Sequence, residues 1–475
     1  LFKSTENASV AANFLMSMSV GIAMDTIILV PGGGGSRLTL QNQEVWPPTL
    51  LELAVGYNRT TDLRSSNVKV GTILDTIPKL FPCYDVYRPL QDDLAKIAKS
   101  CGAQFVNFPY DWRKDVISST EKLAAKIKSS VKSSSDEITL VCHSMGNLLA
   151  RVILESGDYS SKSWFGNNKR YVGICGPHYG VPVILEYTLG LDSWLGISAI
   201  DMKTLSKDSR YPSCYQCLPF KGKDVLFDVQ SGSPQAKDIY DASVASDYDL
   251  DPTNLATAKA TQDKLGFAHK PPGVDYDLIS GSNHTTHETL EFNGPASYLG
   301  AQSDQFGDST IPLWSSKVAP YTQWVTPGDH IDVLKSYPFK QILYAILACK
   351  GLIPELTLID LPGLTISLNK FVYAPYEEIE ILLIPDLRTQ ELSGSLQFAR
   401  VVGPEARRFV RYQEQPIVYR GPQITSLRST IAAPADPGAY RITFSGSHGT
   451  SPKTAGGFVV SNPTATRQLQ RTRQK

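Results

Sequence analysis

From Thr26 to about Leu347, short apolar runs alternate with segments of helical period. The runs TIILV (26–30), AQFVNF (103–108), ITLVC (138–142), YVGIC (171–175) and YDLIS (276–280) have the length and apolar character of buried strands. Between the second and third, Leu123, Ile127 and Val131 recur every fourth position, and Ser118 with Glu121 has the spacing of a capping box. That spacing predicts a helix starting at Ser118. Such alternation predicts an α/β chain with a mainly parallel sheet covered by helices.

About 100 residues separate YVGIC from YDLIS, far more than one crossover helix needs. An inserted cap or lid subdomain is therefore expected at about 181–275. Its first part, LEYTLGLDSWLGISAIDMKTL, is apolar and aromatic, as a lid over a nonpolar pocket would be. Its later part alternates Asp247, Asp249 and Asp251, but Pro252 stands where a calcium loop needs glycine and Ala258 where it needs a bidentate glutamate. The stretch reads as a solvated acidic loop. After Pro354 the period changes to two in EIEILLIP, SLQFARVV, EQPIVYR and AYRITFSGS, between turns rich in proline and glycine. This predicts a small all-β, immunoglobulin-like sandwich over 354–462, following a catalytic unit over 1–353. A polar, basic tail at 463–475 has no periodicity and is expected to be disordered.

Composition narrows the partners. Lys plus Arg and Asp plus Glu both number 46, so no overall field draws the chain to nucleic acid or to an anionic membrane. Seven cysteines leave at least one unpaired within the chain. Cys142 and Cys175 end apolar runs and read as small buried hydrophobes; Cys83 with Cys101, and Cys214 with Cys217, are candidate bridges. A lone C-x-x-C does not make a zinc site, so neither metal nor cofactor is expected. Residues 8–23 read either as the close of a signal peptide or, preferably, as a packed helix, and no run of about 18 apolar residues predicts a spanning helix. Sequons occur at Asn7, Asn58 and Asn283.

The chemistry centres on ITLVCHSMGNLLA (138–150), where an apolar strand meets a helix whose apolar residues include Met145, Leu148, Leu149, Val152 and Ile153. A sharp turn there exposes a serine hydroxyl and aims the next N–H at a developing oxyanion, as in G-x-S-x-G, although Cys142 replaces the first glycine. Ser144 alone could equally be a helix N-cap. In a hydrolase the acid and then the histidine follow the serine, and FGDSTIPLWSS supplies Asp308 while WVTPGDHIDVL supplies His330. His143 should point away from Ser144; His178, His284 and His287 precede Asp308; His448 lies in the sandwich. Asp304 is the rival acid, disfavoured because Gly307 and Pro312 shape a tight turn around Asp308. The loop VPGGGGSRL (30–38) lets backbone approach a ligand and lacks the framing of a phosphate cradle.

Taken together, VPGGGGSRL, FPYDWR (108–113), VCHSMGNLLARVIL, GPHYGVP (176–182), GDSTIPLWS (307–315) and DHIDVL resemble the lecithin:cholesterol acyltransferase family, which includes lysosomal phospholipase A2, over about residues 25–345. The resemblance implies an α/β-hydrolase fold with Ser144, Asp308 and His330 as nucleophile, acid and base. It implies an oxyanion hole from the N–H groups of Gly34 and Met145, with Gly33, Tyr110, Trp112 and Tyr179 near the substrate, although the Tyr110-Asp111-Trp112 segment could equally serve as a buried aspartate that fixes its loop. A bulky residue often stands at the position of Gly34 in the family, so a more flexible loop is expected here. The implied activity is acyl-ester hydrolysis of an apolar or lipid substrate. The alternatives are acyl transfer to an alcohol and a non-catalytic binding module. Contact with a lipid surface and a location outside the cytoplasm are expected; the oligomeric state is not legible.

Overall fold

The computed structural model describes residues 25–77, 84–318, 320–348, 363–402, 408–446 and 455–461. The expectations for 8–23, for Cys83, for Asn7 and for the tail at 463–475 lie outside these residues. So does His448.

Six parallel strands form the central sheet, in the spatial order Thr322–Pro327, Asp275–Ser282, Asn168–Ile174, Ile138–His143, Thr26–Val30, Gln104–Asn107. Strands buried on both faces need apolar residues at every position, and Ile27, Ile28, Leu29 and Val30 are all fully buried. Helices Arg88–Cys101, Val116–Ser130 and Gly146–Glu155 supply apolar faces to the sheet. The molecule has the α/β-hydrolase fold. The second of these helices starts before the expected Ser118: Asp115 is the N-cap, accepting from the N–H groups of Ile117 and Ser118 at 3.2 Å each. Aspartate caps as well as serine does, and it comes first in the chain.

Over the strand ends sits the inserted region. It contains helices Pro182–Leu189, Ala199–Ser206 and Pro252–Gln262 and short strands Leu226–Asp228 and Gln235–Lys237. Its sheet is completed by the hairpin His284–Phe292 and Tyr298–Gly307, so the cap draws on chain beyond the expected 181–275. The expected acidic loop is instead ordered: Asp247 ends a helix, Asp249 pairs with Lys203 and Lys207 at 2.9 and 2.5 Å, and Asp251 caps the next helix through the Asn254 N–H at 2.8 Å. Asp249 and Asp251 each have a local partner, which a spacing rule for calcium does not test.

C-terminal to the hydrolase unit, sheets of three strands (Leu364–Leu368, Glu378–Pro385, Leu427–Ala432) and five strands (Val372–Tyr373, Thr389–Val402, Arg408–Ile424, Gly438–Gly446, Gly456–Val460) enclose one apolar core of Ile366, Ile381, Leu396, Phe444 and Phe458 among others. No helix among the described residues is long and apolar enough to cross a membrane.

One of the two candidate bridges departs from expectation. Cys214 and Cys217 are free thiols. They flank a single helical turn, Ser213–Gln216, and residues three apart on a helix hold their Cβ atoms about 5–6 Å apart, beyond the roughly 4 Å a disulfide spans. Cys101 is disulfide-bonded to a partner outside the described residues.

Candidate active site

The strand Ile138–His143 delivers Ser144 into a turn that demands φ of +53° there. Serine in this left-handed region is strained, and the strain is held by surrounding backbone. Ser144 N–H donates to the Ile174 carbonyl at 2.9 Å, and Gly146 lies so close to the first strand that a Cβ on it would stand 2.5 Å from the Val30 oxygen. The second glycine of the motif is thus sterically required. At the first glycine position, the Cys142 side chain is fully buried, and burial pushes its thiol pKa well up, so it behaves as an apolar group.

Asp308 and His330 follow the strands Tyr298–Gly307 and Thr322–Pro327. His330 Nε2 lies 2.8 Å from Ser144 Oγ, and His330 Nδ1 lies 2.8 Å from Asp308 Oδ2. A carboxylate only accepts, so Nδ1 carries the hydrogen and the Nε2 lone pair faces the serine hydroxyl. Asp308 is fully buried; burial alone would raise its pKa, but the His330 charge and the hydrogen bonds it accepts, including the Ile311 N–H at 2.6 Å, hold it below 3.8. The rival Asp304 stands on the cap hairpin, accepting from Phe306 N–H at 2.8 Å and facing Glu288, whose pKa burial and Asp304 raise to about 7.

The glycine loop closes over the serine. A Cβ on Gly32 would lie 2.5 Å from Ser144 Cβ, so the loop backbone needs glycine at that position. Gly34 adopts φ of +72°, its carbonyl accepts Trp46 Nε1–H at 2.7 Å, and a Cβ there would meet Trp194 Cη2 at 2.8 Å. The extra freedom expected of a glycine is therefore removed by two indoles. Among the described residues, the N–H groups of Gly34 and Met145 have no protein acceptor.

Behind the loop runs a buried relay with no sequence signature. Gly32 N–H donates to Tyr87 Oη at 2.7 Å, Tyr87 Oη lies 2.7 Å from His143 Nδ1, and His143 Nε2 lies 2.9 Å from the His330 carbonyl. Because that carbonyl only accepts, Nε2 bears the hydrogen and Tyr87 donates to Nδ1. Burial, then the neighbouring His330, pull the His143 pKa down to about 3, which keeps the ring neutral and this tautomer fixed. The His143 ring is engaged by Tyr87 and by the His330 carbonyl, so it braces the His330 backbone. Tyr87→Phe should strand two buried groups, lowering stability by about 1–3 kcal/mol and slowing turnover more than it weakens substrate binding. Chemical denaturation and steady-state kinetics check this; an unchanged kcat removes Tyr87 from the site.

Ser144, Met145, Gly33 and Gly34 open on a cavity of about 510 Å³. Trp46, Trp112 and Trp194 form one wall, with Trp46 and Trp194 stacked at 4.9 Å; cap residues Ile184, Tyr187 and Met202 form another. Two expected substrate residues stand elsewhere. Tyr110 is buried behind the glycine loop, donating through Oη to the Pro31 carbonyl at 3.0 Å, and Tyr179 packs outside the cavity on Phe220. Asp111 is bound by Arg113 at 2.7 Å, which ties the loop to the Leu63 carbonyl. His143, Cys175 and His330 bring donor atoms within 4.8 Å of one another, the one such cluster among the described residues. Those atoms are already engaged by Tyr87, Asp308, Ser144 and the His330 carbonyl.

Residues 51–269 match the family model for lecithin:cholesterol acyltransferase. The hydrolase unit resembles the lecithin:cholesterol acyltransferases. The match spans the nucleophile strand and most of the cap but ends before Asp308 and His330, so it leaves the acid and base to the geometry above. No curated protein matches the chain significantly. Among solved structures, the lin2722 gene product of Listeria innocua aligns at 14% identity and TM-score 0.27, over 70% of this chain and 96% of its own. A β-glucosidase of Erythrobacter marinus aligns at 8% identity and TM-score 0.15, over 96% of this chain and 51% of its own. Neither fold nor function is drawn from likenesses so slight.

Proposed function

We propose that the acyltransferase-like unit is a serine-dependent acyl-ester hydrolase acting through an acyl-enzyme. The observation that carries this reading is the unbroken chain Asp308–His330–Ser144, with 2.8 Å at each link, opening on an apolar cavity. Ser144 Oγ bonds to the ester carbonyl carbon as its proton passes to His330 Nε2, and the carbonyl π pair moves onto oxygen. The oxyanion so formed faces the N–H of Met145, at the start of the helix Gly146–Glu155 where the helix dipole adds positive potential, and the N–H of Gly34 in the glycine loop. Collapse breaks the bond to the alcohol, whose oxygen takes the proton from Nε2. Water repeats the sequence on the acyl-serine, releasing the acid and restoring Ser144.

A cavity of about 510 Å³ lined by three indoles and aliphatic side chains suits an acyl chain or another apolar ester, within the roughly 300–1,000 Å³ of small-molecule sites. Contact with a lipid surface belongs to the same reading, with Leu51 and Ile200 exposing apolar side chains. The family match favours a second reading, transfer of the acyl group to an alcohol in place of water. A fluorophosphonate probe followed by mass spectrometry should label Ser144, and p-nitrophenyl esters of rising chain length should be cleaved with a preference for longer chains. Adding an alcohol acceptor and measuring ester against free acid separates hydrolysis from transfer. Folded protein that neither labels nor cleaves any ester would leave only a binding role.

A further inference from the structure

The C-terminal sandwich reaches into the catalytic loops. Asp329, next to the base, donates its N–H to Ser367 Oγ at 3.0 Å. Ser367 Oγ lies 2.9 Å from His284 Nε2, His284 Nδ1 lies 2.6 Å from Glu380 Oε1, and Arg428 Nη1 donates to Glu380 Oε2 at 2.7 Å. With the proton of His284 on Nδ1, every donor in this chain meets an acceptor. Ser367 and His284 are fully buried and Glu380 is 6% exposed, so the chain lies in the seam between the two units.

Both catalytic loops attach to it. His284 pairs with Gly307 across the cap hairpin and forms a β-bridge with Asp308 itself, so fixing His284 fixes the backbone that carries the acid. On the other side of Ser144, Asp329 is bound by Ser367 and Asp332 accepts the Leu368 N–H at 3.1 Å, which brackets His330 between two sandwich contacts. Just beyond, Phe371 and Val372 line the substrate cavity, and Phe371 stacks on Tyr84 at 4.2 Å. None of these seam groups touches the reacting atoms or serves the mechanism above.

We propose that the sandwich is a positioning element of the active site, in which Ser367 and Glu380 hold the His330 loop and the Asp308 strand in register with Ser144. The proposal rests on the serine-hydrolase reading. A buried ring of hydrogen bonds with one geometry is the kind of support that keeps a nucleophile, base and acid within a fraction of an ångström of one another. The sandwich then serves the hydrolase unit directly.

The test uses the full chain with Ser367→Ala, Ser367→Thr and Glu380→Gln. In Ser367→Ala, kcat and the rate of fluorophosphonate labelling at Ser144 should each fall about 10-fold or more with KM within about two-fold, because misplacing a catalytic group acts on rate more than on affinity. Ser367→Thr keeps the hydroxyl and should recover most of the loss. Thermal unfolding shows whether each variant is folded. If Ser367→Ala fails to fold, Glu380→Gln, which keeps the acceptor for His284 but removes the charge facing Arg428, carries the same expectation. Folded variants with wild-type kcat and labelling overturn the positioning role and leave the hydrolase reading intact. A wild-type chain that neither labels nor turns over overturns the hydrolase reading itself.

Discussion

Ser144→Ala is expected to lower ester turnover by about 10⁴-fold or more while leaving the unfolding midpoint at or above that of the wild type. The rate loss follows from removing the hydroxyl that lies 2.8 Å from His330 Nε2 and faces the cavity. The retained stability follows from the backbone: Ser144 sits at φ +53°, a conformation fixed by its neighbours, and among the described residues its hydroxyl bonds His330 alone. His330→Ala should cost nearly as much, and the double variant little more than either, because the two act as one unit. Steady-state kinetics with a short-chain p-nitrophenyl ester measure all three. Residual activity within ten-fold of wild type in Ser144→Ala would move the nucleophile elsewhere.

The largest effect on stability is expected from Arg151→Leu. Arg151 and Glu155 face each other one helical turn apart, 2.8 Å between Nη2 and Oε2, with side chains 1% and 0% exposed. Glu155 also accepts the Gly266 N–H at 2.9 Å, and the guanidinium lies 3.9 Å from the centre of the Phe267 ring. Removing the arginine leaves a carboxylate in the interior with no countercharge, a loss of about 3–5 kcal/mol. Replacing both residues by leucine removes the stranded charge and should recover a large part of that loss. Urea unfolding of the two variants decides the matter: if the double variant is no more stable than Arg151→Leu, the cost belongs to packing against Phe267 and not to the stranded buried charge.

What the sequence made legible was whatever repeats locally or sits in a short motif. The strands around Ile28, Leu140 and Val172 are apolar at successive positions because both faces of the sheet are covered, and that signal survives without any knowledge of partners. Ser144 is announced by its strand–turn–helix, and Asp308 and His330 by order and turn chemistry. Tyr87 was not legible, because its partners Gly32 and His143 stand 55 and 56 residues away and nothing in CYDVYRPL marks a buried hydroxyl. For Tyr110 and Tyr179 the resemblance of FPYDWR and GPHYGVP implies a place near the substrate, yet membership of a motif does not say which side of a loop a ring occupies. The seam between the two units escaped for the same reason as Tyr87: Ser367, Glu380 and Arg428 are unremarkable singly and meaningful only as a set.

The Gly34 peptide is held from two sides by the cavity wall: Trp46 binds its carbonyl, and Trp194 occupies the space a side chain would fill. On the hydrolase reading, the surface that would touch the substrate's tail and the dipole that would meet its oxyanion are therefore one mechanical body. A chain that fits between the indoles leaves that dipole aimed; one that wedges them apart turns it. Discrimination among esters should then be written in the turnover number as much as in the affinity, so that a poor substrate is one this protein binds well and converts slowly.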